Sequence, residues 1–215
     1  MHRAIVFATI AIVAGGCSQP PDGSSAATSA PAAAQAPAPA ATNDGPGRVE
    51  GKVPAPAGGA AVVVVLEPKA AREFPPQDEK PVMDQVGQAF GPELMLVRTG
   101  QPAEFRNSDD TLHNVHVNND ETREPAFNVA IPTGGSYTYT FKRDGFYRVG
   151  CDIHPSMSAM IFSTTSPFVT LAEPDGRFAF DAVPPGAWRL SVYAAGRRVQ
   201  RDIDVRGPVT GIAIE

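Results

Sequence analysis

Residues that bind soft metal ions are concentrated in two short segments of the sequence. Cys151, His154 and Met157 occur within Cys-Asp-Ile-His-Pro-Ser-Met, and His113 and His116 occur upstream within Leu-His-Asn-Val-His. One thiolate, two imidazoles and a weakly bound thioether form the donor set of blue-copper electron-transfer sites. Thiolate and thioether favour Cu(I) while imidazole also suits Cu(II), so one such site can hold both oxidation states. The spacing therefore predicts a mononuclear copper site, whereas a thioether would be a poor ligand for zinc.

Strand alternation distinguishes the two upstream histidines. Successive side chains of an extended segment point to opposite faces. His113 shares one apolar face with Val115 and Val117, whereas His116 shares the other, mostly polar face with Asn114. Histidines three positions apart on a strand cannot both reach one ion. We therefore predict that His113 is a ligand and that His116 faces outward.

The chain has two cysteines, Cys17 and Cys151. Cys151 follows Tyr147 and Val149 in alternation, so it is predicted to point to the core. If Cys17 is modified, Cys151 has no disulfide partner, and a lone cysteine in an exported protein indicates a metal ligand or a reactive thiol. A nucleophilic pair of Cys151 and His154 is the second possibility, but the sequence shows no acidic or amide group to orient it.

The N-terminus has the features of an export signal. Residues 1–3 are positively charged and residues 4–14 form an apolar run that is too short to span a bilayer. The run ends in Val-Ala-Gly-Gly-Cys, which resembles the lipobox of bacterial lipoproteins, where the cysteine receives a diacylglyceryl group. We predict a lipoprotein signal peptide over residues 1–16, lipidation of Cys17, and a position in the cell envelope facing the periplasm or the extracellular side. An ordinary cleaved signal with an incidental cysteine is the alternative.

Composition predicts a disordered linker after the signal peptide and argues against nucleic-acid binding. Residues 17–46 are rich in alanine and proline and contain no aromatic residue, so they cannot bury enough apolar surface to offset the entropy of ordering. The net charge is −5 and no basic cluster occurs, which argues against nucleic-acid binding.

Short alternating segments separated by turn residues predict an all-β protein. Residues 76–165 are expected to form one compact β-domain. Its predicted strands lie at residues 94–97, 103–107, 112–118, 136–141, 146–151 and 160–163.

A second β-module follows this domain. Residues 168–215 resemble the carboxypeptidase-regulatory-like (transthyretin-like) family, whose hairpin reads D-G-x-F-x-F-x-x-V-P-P-G-x-[YW]-x-L-x-V. That family begins with two strands like residues 47–53 and 61–66, and two strands are too few for a core of their own. We predict that residues 47–68 and 166–215 form one small β-sandwich into which the first domain is inserted. The alternative makes residues 47–68 extra strands of the central domain.

The segment from about residue 80 to 165 resembles the plastocyanin-like cupredoxins, and amicyanin in particular. The resemblance rests on the Cys-x2-His-x2-Met loop and on His-Asn-Val-His. It implies a Greek-key β-sandwich and a type 1 copper site. The ligands that it implies are His113, Cys151, His154 and Met157.

The resemblance also assigns residues around the ligands. Asn114 matches a residue that ties the histidine strand to the cysteine loop. Ile153 stands where proline is common in plastocyanin and amicyanin, so its N–H is available to the Cys151 thiolate. Met160 is a rival to Met157 as the axial ligand.

Two functions compete for such a site. The first is a monomeric one-electron carrier between redox protein partners of the cell envelope, with His154 as the electron exit. The second is a copper-binding or copper-delivery lipoprotein without an electron-transfer role. Only three histidines remain after the signal peptide, which argues against a second, catalytic copper centre, so no enzyme activity is predicted.

Overall fold

The computed structural model describes residues 45–55, 58 and 60–214. The predicted signal peptide, Cys17 and the predicted linker before residue 45 lie outside the described residues. Within the described part, no helix has the length and hydrophobicity that crossing a bilayer requires.

The described residues form sixteen β-strands and no helix, which confirms the all-β prediction. Burial alternates along most strands, as in β5, where Met95 and Val97 are buried between less buried neighbours. The strands are β1 Gly47–Lys52, β2 Val63–Pro68, β3 Val82–Val86, β4 Ala89–Gly91, β5 Leu94–Arg98, β6 Pro102–Asn107, β7 His113–Asn119, β8 Pro125–Ile131, β9 Ser136–Thr140, β10 Gly145–Gly150, β11 Ser158–Thr164, β12 Val169–Leu171, β13 Arg177–Val183, β14 Gly186–Ala194, β15 Arg197–Val205 and β16 Val209–Ala213.

The strands assemble into four sheets, numbered here in the order in which they stack. Sheet I has the strand order β4-β3-β6-β9, and sheet II has the order β5-β11-β10-β7-β8. Sheet III has the order β12-β2-β14-β15, and sheet IV has the order β13-β1-β16. The pairs β1–β16, β3–β6 and β5–β11 are parallel, and the other pairs are antiparallel.

Three apolar cores lie between the sheets. Buried residues of sheets I and II, including Phe105 and Ile161, form the first core. Residues of sheets III and IV form the second core around Trp188. A smaller third core lies between sheets II and III. The described chain is therefore two β-sandwiches that pack face to face.

The third core contains an aromatic cluster that joins the two sandwiches. The ring centroid of Phe162 on β11 lies 4.7 Å from that of Phe146 on β10 and 5.1 Å from that of Tyr193 on β14. Val63 and Val65 of β2 are buried against these rings. Separating the sandwiches would expose this apolar surface to water, which is unfavourable.

The two N-terminal strands pair with strands from the end of the chain. β1 pairs with β13 and β16, and β2 pairs with β12 and β14. The described part of the chain thus starts in sheets III and IV, passes through sheets I and II, and returns to sheets III and IV.

Three strands of the first sandwich differ from the sequence-based expectation. β3, β4 and β8 were not predicted, and Cys151 follows β10 instead of ending it. β8 pairs with β7 and places Ile131 opposite His113, so it supports the metal-binding strand directly.

Candidate metal centre

The strand β7 fixes His113 in the first core. His113 is its first residue, and its side chain is fully buried next to the buried Val115 and Val117. This placement agrees with the face that alternation predicts for His113. The strand β8 pairs with β7 at His113 itself, and β10 pairs with β7 from His116 onward, so both neighbours hold the strand that carries the imidazole.

The loop between β10 and β11 supplies the other three candidate ligands. Cys151 and Met157, at the ends of the loop, are both buried in the first core. A turn closes the loop, because the Met157 N–H donates to the carbonyl of His154 at 3.0 Å. His154 is half-buried, so this ligand lies between the core and the surface.

Three donor atoms converge at one point. Nδ1 of His113 lies 2.9 Å from Nδ1 of His154. Sγ of Cys151 lies 4.0 Å from the first nitrogen and 3.9 Å from the second. Two donors can share an ion only if their separation is below the sum of the two bond lengths, which is about 4 Å for two nitrogens and about 4.4 Å for nitrogen and sulfur. All three separations meet this condition, so the three residues can bind one ion.

The structure also separates the two candidate axial methionines. Met160 pairs with Arg148 on β10, between Ala159 and Ile161, which both point into the first core. The Met160 side chain therefore lies on the outer face of sheet II. Met157 is buried in the same core as Cys151, so its thioether would be the one available to a copper ion bound there.

Asp109 holds His113 and was not identified from the sequence. Its Oδ2 lies 2.8 Å from Nε2 of His113, and its carboxylate accepts the backbone N–H groups of Gly87 at 2.5 Å and Gln88 at 2.8 Å. These two backbone hydrogen bonds, more than the one from His113, lower the pKa of Asp109. A carboxylate that accepts the Nε2–H would leave the Nδ1 lone pair of His113 free to bind a metal ion.

Asn114 ties β7 to the cysteine loop. Its Oδ1 accepts the backbone N–H of Asp152 at 2.6 Å, and its Nδ2 donates to Oδ2 of Asp152 at 3.0 Å. Nδ2 also donates to Asn128 on β8 at 2.7 Å. Asn114 is buried although it lies on the polar face of β7, because these hydrogen bonds cover it.

His116 points away from the ion-binding position. Its Nδ1 lies 2.9 Å from Oδ1 of Asp152, and its side chain is 34% exposed. The hydrogen bond with His116 is the largest cause of a lowered pKa for Asp152, followed by the one from Asn128.

The hydrogen bond predicted from Ile153 is not found. The described residues place no donor from Ile153 on Sγ of Cys151, whose polar neighbours are the two Nδ1 atoms. The Ile153 side chain is 46% exposed at the surface of the loop. The loop closes by the hydrogen bond between residues 157 and 154, which turns the Ile153 side chain outward. The structure therefore gives Ile153 a surface position and no hydrogen bond to the thiolate.

The two histidines of β7 are expected to respond differently to substitution. His113→Ala should eliminate the copper absorption spectrum, since it removes one of the three converging donors. His116→Ala should leave that spectrum nearly unchanged, since its ring faces outward. Absorption spectroscopy of both copper-loaded variants checks this, and loss of the spectrum in His116→Ala would contradict the assignment.

One family profile matches part of the chain. Residues 80–163 match the sequence profile described as "Copper binding proteins, plastocyanin/azurin family". No curated protein matches the chain.

Several solved structures are similar to this chain at low identity. A reduced amicyanin variant is 22% identical with a TM-score of 0.36, covering 40% of this chain and 84% of its own. A purple cupredoxin from Nitrosopumilus maritimus is 18% identical with a TM-score of 0.35, covering 39% of this chain and 99% of its own. A copper-containing nitrite reductase from Thermus scotoductus SA-01 is 26% identical with a TM-score of 0.37, covering 45% of this chain and 25% of its own.

The family match and the donor geometry fall on the same residues. The profile spans β7, β10 and the loop that carries Cys151 and His154. Residues 80–163 are therefore similar to the copper-binding proteins of the plastocyanin/azurin family, and the donors gathered there fit one type 1 copper ion.

Proposed function

We propose that this protein is an exported type 1 copper protein that carries single electrons between redox partners at the cell envelope, and that it is not an enzyme. The observation that carries the proposal is the convergence of Cys151, His113 and His154 on one point. Bound copper would supply a one-electron couple between Cu(I) and Cu(II).

The residues around the site support a carrier because they hold the donors in place. His113 is fixed by Asp109, and the cysteine loop is fixed by Asn114. Both His113 and Cys151 are buried among close-packed core residues, so their side chains have little freedom to move. A donor set that moves little between oxidation states is what rapid electron exchange requires.

The surface around His154 has the character of a transient docking site. Three of the five exposed large apolar side chains of the described residues lie next to the centre: Val86 is 58%, Leu112 47% and Ile153 46% exposed. Leu112 and Ile153 flank His113 and His154 in the chain, and Val86 precedes the turn that binds Asp109. We propose that a redox protein partner covers this apolar surface and exchanges electrons through the half-buried His154.

Voltammetry of the copper-loaded full-length protein tests the carrier function. We expect a reversible one-electron wave that persists over repeated cycles and is absent in His113→Ala. Copper-delivery function predicts instead that copper passes readily to a metal-free acceptor protein. An irreversible wave together with such transfer would contradict the carrier proposal and favour delivery.

We propose further that Cys17 anchors the protein to a membrane by a lipid. The first described strand begins at Gly47, which pairs with Val183 at the same end of the second sandwich as Pro185. Pro185 accepts a hydrogen bond from Arg72, in the connection that leads to the end of the first sandwich remote from the cysteine loop. Gly47, which follows the tether in the chain, thus lies at the end of the second sandwich opposite the copper centre.

Cys17→Ala should release the protein from the membrane, because it removes the atom that would carry the lipid. Labelled fatty acid should enter the wild-type precursor and not this variant, as followed by gel autoradiography and membrane fractionation. Recovery of the unlabelled wild type in the soluble fraction would refute the anchor.

The second sandwich is proposed to be a carboxypeptidase-regulatory-like module with a structural role. Its sheet III covers the outer face of sheet II through the third core. Without it, Phe146 and Phe162 would be exposed on the copper-binding sandwich.

A further inference from the structure

His116 is the one histidine of the described residues that lies outside the metal centre, and the proposed carrier function does not use it. It lies on the outer face of sheet II, and its side chain is 34% exposed. Its cross-strand neighbour on β10 is Gly150, which has no side chain to place over the ring. The imidazole edge with Nε2 makes no hydrogen bond within the described part of the chain.

Asp152 connects His116 to the metal centre. It directly follows Cys151, and its Oδ1 lies 2.9 Å from Nδ1 of His116. Its Oδ2 accepts hydrogen bonds from Asn114 at 3.0 Å and Asn128 at 2.8 Å, so the carboxylate is held in one orientation. A continuous path of covalent bonds and a single hydrogen bond therefore runs from Sγ of Cys151 to the exposed imidazole.

The second sandwich leaves this part of sheet II accessible. The core between sheets II and III draws its sheet II residues from β5, β10 and β11, such as Leu96, Phe146 and Phe162. His116 lies on β7, on the other side of β10, and keeps its exposure with both sandwiches in place.

We propose that His116 is a second electron-exchange residue of the copper centre. A one-electron redox protein contacts the His116 ring, and the electron passes through Asp152 to Cys151. The proposal rests on the carrier function. In the reducing direction the donor loses one electron and the centre gains it, and no covalent bond is made or broken. Tunnelling through covalent and hydrogen bonds is faster than across a gap of equal length, which is why the path through Asp152 matters.

The two exchange residues face different directions. His154 belongs to the loop at the end of the sandwich, whereas His116 lies on the side of sheet II.

A ruthenium polypyridyl complex on Nε2 of His116 tests the route. The copper-loaded full-length protein carries His2→Gln, so that His116 is the one histidine outside the centre. After a light flash, loss of the charge-transfer absorption measures the rate of electron transfer to the centre. We expect Asp152→Ala to slow this rate severalfold and Asp152→Asn to slow it less, because the single oxygen of asparagine can still accept from His116 but then no longer accepts from Asn114 and Asn128. Equal rates in Asp152→Ala and the parent would overturn the route.

A second measurement needs no copper. Nitrogen NMR of the metal-free protein should show the His116 proton on Nδ1, held by Asp152, and a changed tautomer equilibrium in Asp152→Ala. A proton found mainly on Nε2 in the parent would overturn the hydrogen-bonded path even if the aspartate variants lose copper.

The unlabelled variant His116→Asn separates electron exchange from structure. Its absorption spectrum and reduction potential should match the wild type, while its oxidation by a cationic cobalt phenanthroline complex should slow severalfold. Asn118→Ala, on the same face but farther from Cys151, is the matched control and should not slow. Equal oxidation rates in His116→Asn and the wild type would argue against the route, whereas failure of the carrier function would appear as an irreversible wave in the wild type.

Discussion

Cys151→Ser is expected to abolish the intense visible absorption of the oxidised, copper-loaded protein. That absorption would arise from charge transfer between the Cys151 thiolate and copper, and a serine hydroxyl is a harder donor that stays protonated near neutral pH. The substitution nearly conserves volume, so the buried position should still be filled. Absorption spectroscopy, with copper content measured in parallel, checks the result.

Cys17→Ser is the matched control for this experiment, because Cys17 and Cys151 are the two cysteines of the chain. Its spectrum should be that of the wild type, whatever happens to membrane attachment. A wild-type cupric complex without colour, or a Cys151→Ser variant that keeps the colour, would refute a type 1 site.

The candidate ligands could be predicted from the sequence because short segments of the chain are enough to identify them. Three of them lie within seven consecutive residues, and alternation alone places His113 on the buried face of its strand. The structure brings Cys151, His113 and His154 together, as the sequence predicts.

The groups that support His113 could not be predicted in the same way. Asp109 reaches it only because the turn after β6 packs on the turn between β3 and β4, and neither of those two strands was predicted. The one available signal was general: metal-binding histidines usually donate their second N–H to a carboxylate or carbonyl group. Asp109 lies four residues before His113, within reach of that role.

The docking of the two sandwiches was also hidden in the sequence. A strand buried on both faces has a continuous apolar run and no alternation. In β11 the apolar run covers residues 159–162, in which Ile161 points into the first core and Phe162 into the third. Such a run does not reveal which sheet covers its second face, so the contact with Tyr193 appears only in the structure.

Trp188→Ala is expected to lower the free energy of unfolding by about 3–5 kcal/mol, the range for removing a large buried aromatic side chain. Trp188 is fully buried in the second core, with the Phe168 ring centroid 5.3 Å away. Its Nε1–H donates to the carbonyl of Pro184 at 3.0 Å, a hydrogen bond that is also lost. Since small domains are stable by only about 5–15 kcal/mol, the variant should lose a large share of its stability. Urea unfolding of the metal-free protein, followed by far-ultraviolet circular dichroism, measures the change.

Trp188→Phe separates packing from hydrogen bonding, since it keeps a ring against Phe168 and Phe74 and removes only the indole N–H and part of the volume. Trp188→Phe should lower the free energy of unfolding by less than Trp188→Ala does.

The third core joins the sandwiches through Phe162 and Tyr193, so unfolding of the second sandwich should expose the outer face of sheet II and destabilise the copper-binding sandwich with it. In copper-loaded Trp188→Ala, the visible absorption should therefore disappear at a lower urea concentration than in the wild type, together with the loss of strand signal. An absorption midpoint that stays at the wild-type value while the strand signal is lost earlier would show that the two sandwiches unfold independently.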